Sequence, residues 1–262
     1  MKLTPLDSKP SLQPTEGKDR PSEVAIEILG LQKSFGGNSV LKGFNLSLGA
    51  GENLVVLGKS GSGKSVLIKC IVGLIEPDEG TLSVLGENVL ELQDNKLNEL
   101  RKQVGFLFQS AALYDSMTVR ENLEFPLRNS PSIKDKELDD LVKEALENVG
   151  LLEAIDKMPS ELSGGMRKRI GLARTLILKP KIMLYDEPTT GLDPITSKEI
   201  SNLILDVRKK YNTSSIIITH DIACAKITAD RIIVIQDGVC AAEGTFEELQ
   251  KSENPEVRAY FE

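Results

Sequence analysis

The sequence predicts an α/β protein built on a sheet of parallel-type strands. Three observations predict it. Gly58-Lys59-Ser60-Gly61-Ser62-Gly63-Lys64-Ser65 fits the phosphate-loop pattern G-x-x-x-x-G-K-[ST] at every fixed position. The loop lies between an apolar strand-like run, 53–57, and a helical run, 65–72, which is where a phosphate loop belongs. Four apolar runs end in Gly58, Gln109, Asp186 and His220, so glycine and polar groups gather at the end of the sheet where such folds meet ligands.

Composition narrows the class of protein. The chain has 262 residues, of which 40% are hydrophobic and 27% charged, enough apolar material for a sizeable core in one large or two small domains. A net charge of −7 argues against a polyanion-binding surface, so no nucleic-acid partner is expected. Cys70, Cys224 and Cys240 are odd in number and form no C-x-x-C pair, which suggests neither a disulfide framework nor a zinc site and fits a reducing cytosol. No apolar run approaches the length of a membrane span, and the first residues lack the apolar core of a signal peptide. Any membrane role is expected to come through a partner.

Along the chain, residues 1–22 hold four prolines and few large apolar residues, a composition expected to stay disordered. Segments 24–31 and 40–48 flank the turn-rich Ser34-Phe35-Gly36-Gly37-Asn38 and suit an antiparallel strand pair. Phe35 either stacks on a base or caps the edge of the core. In the phosphate loop, glycine lets the backbone wrap an anion, the helix N-terminus points its N–H groups at phosphate, and Lys64 adds a full charge. Ser65 offers a hydroxyl to Mg²⁺. A turn at 76–80 precedes two expected short strands, 81–85 and 88–90, and a helix at 95–102. The strand 104–108 delivers Gln109 to its carboxyl end.

From 110 to 160 the chain becomes helical and more polar. Helices are expected at 118–128, stopped near Pro126, and at 136–150, with a loop at 129–134 between them. The second places Leu138, Leu141, Val142, Ala145, Leu146 and Val149 on one apolar stripe. Ser163 reads as the N-cap of an Ala/Leu/Ile-rich helix running to 178, and Gly164 and Gly165 at its start make either a second anion-binding terminus or an ordinary helix entry. The strand 181–187 ends in Asp186 and Glu187, where one carboxylate can hold a magnesium-phosphate complex and the other can orient or deprotonate the attacking water. Gly191-Leu192-Asp193-Pro194 turns into a helix over 195–211, and strand 215–219 carries His220, the only histidine, to its tip. Strands 231–236 and 239–242 read as a hairpin around Asp237-Gly238, followed by a short helix at 246–252.

Taken in this order, the motifs resemble the ATP-binding cassette subunit of ABC transport systems, over about residues 24–245. Leu162-Ser163-Gly164-Gly165-Met166 is similar to the family's signature sequence, 182–187 to its Walker B strand, Gly191-Leu192-Asp193 to its D-loop, and Gln109 and His220 to its Q-loop and switch residues. The resemblance implies a P-loop NTPase cassette: a doubly wound core sheet, an antiparallel β-subdomain and a helical subdomain over about 110–178, within an ATPase domain at 23–245 followed by a tail at 246–262. It also implies a homodimer in which two subunits bind head to tail, so that the signature of one closes on ATP held by the other. Carried over by residue, Phe35 stacks on adenine, Gly58, Lys59, Ser60, Gly61, Ser62, Gly63, Lys64, Ser65 and Val66 hold the nucleotide, and Ser65, Gln109 and Asp186 serve Mg²⁺. Glu187 is the implied base, Ser163, Gly164 and Gly165 reach ATP across the dimer, Asp193 couples the two sites, and His220 senses or positions the γ-phosphate. Three positions depart from the common pattern: Met166 where many members have Gln, Phe35 where Tyr is frequent, and the polar Tyr185 in the Walker B strand.

The stretches 108–122 and 162–169 and the tail 254–261 look like the ATPases of Mla/Mce-type phospholipid transport. That resemblance implies a place on the cytoplasmic face of the inner (plasma) membrane, held by integral permease subunits, with MCE-domain and STAS-domain proteins as further partners. A nutrient importer of amino-acid type, with a nearly identical cassette, is the alternative. A soluble ABC protein acting on DNA or ribosomes is a more remote one, because neither a second cassette nor a long coiled coil is present in the sequence.

Overall fold

Residues 23–128 and 134–262 are described in the computed structural model; the expected disorder of 1–22 and all but the last residue of the expected loop at 129–134 lie outside them. Strands β1 (Val24–Phe35) and β2 (Asn38–Gly49) pair antiparallel around Gly36-Gly37, whose positive φ values of 54° and 83° match the right-handed twist of the flanking strands. Both strands run longer than the apolar segments that announce them. Strand β3 (Asn53–Leu57) leads through the phosphate loop into α1 (Lys64–Ile71). After it come β4 (Glu79–Val84) and β5 (Glu87–Asn88), which close a sheet of order β2-β1-β4-β5. The strand expected at 88–90 is a correction: residues 89–91 form a 3-10 turn, because the Asn88 side chain accepts a hydrogen bond from Leu90 N at 3.2 Å and bends the chain away from the ladder.

Helix α2 (Asp94–Lys102) and β6 (Val104–Leu107) follow, then α3 (Val119–Glu124) and α4 (Asp135–Glu147). Thr118 and Glu121 form a reciprocal capping box at the start of α3. The helix is shorter than the sequence predicts, since Pro126 falls in a 3-10 turn at 125–127. The remaining elements are α5 (Gly164–Leu176), β7 (Ile182–Asp186), α6 (Pro194–Tyr211), β8 (Ser214–Thr219), α7 (Ile222–Thr228), β9 (Arg231–Gln236), β10 (Val239–Gly244), α8 (Phe246–Gln250) and α9 (Pro255–Arg258).

The second sheet has the order β10-β9-β3-β8-β7-β6, parallel from β9 to β6 with β10 as an antiparallel edge. The 231–242 hairpin therefore gives one strand, β9, to the parallel core, a fifth beside the four that the sequence predicts. Both faces of this sheet are covered, so its strands are apolar on both sides. On one face Leu54, Val56, Leu184, Ile216 and Ile218 pack toward α1 and the antiparallel sheet. On the other, Val55, Leu57, Met183, Tyr185 and Ile217 pack with residues of α5, α6 and α7. The C-terminal residues Leu249, Val257 and Phe261 are buried in this second core, so 246–262 packs onto the sheet.

The helical stretch has a core of its own, in which Val119 and Leu123 of α3 meet Val142, Ala145 and Leu146 of α4 and Ile170 and Ala173 of α5. Asn122 is fully buried there and ties down the approach to α3: its Oδ1 accepts from Tyr114 N at 2.8 Å, and its Nδ2 donates to the carbonyls of Tyr114, Met117 and Thr118. That network fixes the segment between Gln109 and α3.

Candidate functional site

The phosphate loop is built by close approach. A Cβ on Gly58 would stand 2.6 Å from Ser62 Oγ and 2.7 Å from the Ile235 carbonyl oxygen, so only glycine lets the loop turn beneath β9. Gly63, at φ 105°, is the N-cap of α1 and supplies no side-chain cap, which leaves the first N–H groups of that helix for an anion. Ser62 Oγ is buried, with no hydrogen-bond partner among the described residues. Lys64, 6% exposed, folds back over the loop and donates to the carbonyls of Gly58 at 2.7 Å and Lys59 at 3.0 Å. Burial lowers its pKa, opposed by the charges of Glu187 and then Asp186. A buried ammonium beside a helix N-terminus is suited to phosphate, which replaces the lost hydration.

Four of the parallel strands, β3, β6, β7 and β8, bring the groups to the same rim. Gly58 to Gly61, Gly63 to Val66, Gln109, Glu187 and His220 border one cavity, and Asp186 meets it through Ser65. Asp186 is 8% exposed, and Ser65 Oγ lies 3.4 Å from its Oδ1. Desolvation, then the adjacent Glu187 charge, holds the Asp186 carboxyl above its ordinary pKa. Glu187 stands 3.8 Å from Lys64 Nζ through Oε1, while its Oε2 shares a 2.8 Å hydrogen bond with His220 Nδ1 and accepts from Thr190 Oγ1 at 3.1 Å. A hydroxyl, a desolvated carboxylate and the Gln109 amide form a donor set of hard oxygens, which suits a magnesium ion that retains several waters and takes further ligands from phosphate. Among the described residues no group of three or more His, Cys, Asp or Glu forms a self-sufficient metal site.

Other predicted residues gather elsewhere. Ser163 caps α5, accepting from Met166 N at 3.2 Å, and Gly165 is pressed so closely on α6 that a Cβ would meet Thr196 Cγ2 at 2.5 Å. Asp193 caps α6, accepting from Ile195 N and Thr196 N at 3.0 Å each, and the Thr196 hydroxyl holds its carboxyl below the ordinary pKa. Ser163, Gly164, Gly165 and Asp193 thus form a second cluster, apart from the phosphate-loop cavity of the same chain. Phe35 is exposed at the tip of β1, with Lys33 Nζ 5.4 Å from its ring centre.

Two residues of the site escape the sequence reading. Tyr260 lines the phosphate-loop cavity from the C-terminal segment; its only signal in the sequence is an aromatic in a polar tail. Lys168, on α5, donates to the Glu187 carbonyl at 3.0 Å. Its signal is helical spacing, since it falls in line with Gly165, Leu172 and Leu176, all buried.

This arrangement has counterparts among known proteins. Residues 41–190 match the ABC transporter family. The chain is 41% identical over 240 residues to the probable ribonucleotide transport ATP-binding protein mkl of Mycobacterium leprae, covering 92% of this chain and 69% of that one. It is 37% identical over 261 residues to the protein trigalactosyldiacylglycerol 3, chloroplastic, of Arabidopsis thaliana, covering 93% and 75%. To the methionine import ATP-binding protein MetN of Clostridium acetobutylicum it is 39% identical over 233 residues, covering 89% and 72%. Among solved structures, a dimeric ATP-binding cassette in a post-hydrolysis state bound to ADP and phosphate superposes with a TM-score of 0.77 at 31% identity, over 84% of this chain and 98% of that one.

Proposed function

The chain belongs to the ABC transporter ATP-binding family, and on that premise we propose that two copies pair head to tail and hydrolyse ATP to drive phospholipid movement through a membrane permease. The observation that carries the ATPase chemistry is the meeting of Lys64, Ser65, Asp186, Glu187 and His220 around one phosphate loop. In this reading Lys64 leaves the Gly58 and Lys59 carbonyls for the β- and γ-phosphates, and the loop N–H groups take the remaining oxygens. Ser65, Asp186 and Gln109 would hold a magnesium ion, which would supply positive charge to the phosphates. The Glu187 carboxylate accepts the proton of the attacking water, and His220 Nδ1, bonded to Oε2, keeps that carboxylate in place. Phe35 stacks on adenine from the tip of β1.

The separation of Ser163, Gly164, Gly165 and Asp193 from the phosphate loop supports the head-to-tail pair, because a terminus of α5 bare of acidic side chains in its first turn can serve phosphate brought by a second copy. The relative solved as a dimer with ADP and phosphate supports it further. Glu187→Gln tests the base: the amide keeps the contacts to His220 and Thr190, so ATP binding persists while turnover falls by about 100-fold or more. Normal turnover in that variant removes Glu187 from the role.

Phospholipid as cargo rests on the Mla/Mce-like stretches at 108–122 and 162–169 and on a relative whose name carries a galactolipid. Its expected partners are permease subunits, an MCE-domain protein and a STAS-domain protein, with the chain peripheral to the cytoplasmic face of the membrane. Among the described residues no helix is long and apolar enough to cross a membrane. Import of an amino acid is the second reading, favoured by the MetN relative. Gentle detergent purification from native membranes with mass spectrometry separates them: an MCE-domain protein beside the permease supports lipid, and a solute-binding protein supports import.

A further inference from the structure

We propose that Lys168 is a positioning residue for hydrolysis, holding the Glu187 backbone from helix α5 and thereby tying the helix that begins at Ser163 to the carboxylate of its own chain. The inference rests on Glu187 as the base, and the test below distinguishes the two.

Glu187 leaves β7 in the left-handed region, at φ 50°, a conformation that a residue with a Cβ keeps only when its surroundings fix it. Its N–H donates to the Ile218 carbonyl at 2.8 Å, extending the parallel ladder by one residue. Its carbonyl is thereby turned to α5, where it accepts from Lys168 Nζ at 3.0 Å, with Thr190 N a longer second donor at 3.3 Å. These backbone bonds set where the carboxylate points. Without Lys168 the carbonyl loses its shorter partner, and the strained residue is free to relax away from Lys64 and His220.

The cost of the arrangement argues for a purpose. Lys168 is 5% exposed, and among the described residues Glu187 O is its one hydrogen-bond partner, so a charged group is held on a buried helix face by a single neutral acceptor. An apolar side chain of the same length would fill the space more cheaply. Helix α5 is also tightly seated: a Cβ on Gly165 would stand 2.5 Å from Thr196 Cγ2, and one on Gly171 2.9 Å from Ala111 Cβ. A shift at the Ser163 end therefore carries Lys168 with it. In a head-to-tail pair that end meets the partner's ATP while Glu187 faces its own, so Lys168 joins the two sites within one chain.

Lys168→Met, which keeps the stem and removes the ammonium, and Lys168→Gln, which keeps a shorter donor, are compared in the full chain by steady-state ATP hydrolysis and by binding of a fluorescent ATP analogue. We expect K168M to lower kcat by about tenfold or more with KM and nucleotide affinity within about threefold of the parent. K168Q should lose less. In the Glu187→Gln background, followed by single-turnover assay with labelled ATP, neither variant should slow the residual reaction further, because both act through Glu187. A K168M kcat within about twofold of the parent, or the same fold loss repeated on E187Q, overturns the inference while leaving the base assignment intact. Normal turnover of E187Q alone takes the base assignment and this role away together. If K168M has lost nucleotide binding, K168Q decides by the same comparison with E187Q.

Discussion

Lys168 makes a prediction about stability that is separate from its effect on turnover. Desolvation pushes its pKa down from 10.5 to about 8, only partly opposed by the charges of Asp186 and Glu187. In the unfolded chain the same ammonium is solvated and titrates near its ordinary value. The folded pKa is therefore the lower one, and between about pH 8 and 10.5 the unfolded state binds more protons than the folded state, so stability rises with pH across that window. Below it the full cost of a dry charge is present. At about 1.4 kcal/mol per pH unit the cost amounts to roughly 3 kcal/mol. Lys168→Met removes the titration. Urea unfolding of both proteins without nucleotide, at pH 7 and pH 10, gives the difference in stability at each pH. Other titrations, including those of Cys70 and Cys224, whose buried thiols are pushed up to about 11, cancel in that difference. The parent should gain about 2–3 kcal/mol on K168M between the two pH values. A difference that stays constant within about 0.5 kcal/mol would mean that the ammonium is hydrated in solution and would refute the argument from burial.

Three further outcomes follow from the geometry. Gly58→Ala places a methyl group against the Ile235 carbonyl and Ser62 Oγ, so the loop must shift; ATP affinity by calorimetry should fall by about tenfold or more, while thermal unfolding still shows a folded chain. Ser163→Arg should leave nucleotide binding by the single chain within about threefold of the parent but lower kcat by roughly 100-fold, since the second anion-binding terminus is blocked; surviving turnover would remove the head-to-tail site. Asn122→Leu strips the partners of Tyr114 N and the Met117 carbonyl, while the Tyr114 and Thr118 carbonyls keep Met117 N and Asn122 N, and it should cost about 2–3 kcal/mol, read as a lower urea midpoint, although the residue touches no nucleotide group.

What the sequence discloses is what residue type alone enforces. The phosphate loop is legible because glycine is required at Gly58 by contact and at Gly63 by backbone angle, and each requirement leaves a letter in the chain. The strands β3, β7 and β8 are legible because both of their faces are buried, so each reads as an unbroken apolar run. Strand β9 is legible as a strand but its pairing is not. Asp237-Gly238 advertises the hairpin with β10, whereas the parallel partner β3 lies far back in the sequence and leaves no local mark. The turn at 89–91 is hidden for the opposite reason: a single Asn88 side-chain bond outweighs the strand signal of the apolar pair Val89-Leu90.

Tyr185 and Lys168 show how a polar residue in an apolar pattern is to be read. Tyr185 departs from the usual composition of its strand, and in the structure its ring is wholly buried with the hydroxyl unpartnered, so it fills volume between the sheet and the helices as a large apolar residue does. Lys168 stands in the charged run Arg167-Lys168-Arg169, which by composition is a solvated face. Periodicity divides the three: Arg167 is exposed, Arg169 reaches Glu199 at 2.6 Å, and Lys168 alone falls in the buried line with Gly165, Leu172 and Leu176. A charge on a helix's buried face has either to neutralise or to find an acceptor fixed by the fold. The acceptor here is the carbonyl of the residue whose carboxylate faces the phosphate loop, so the helical stretch is bound to the site at the one backbone position where a displacement would re-aim that carboxylate.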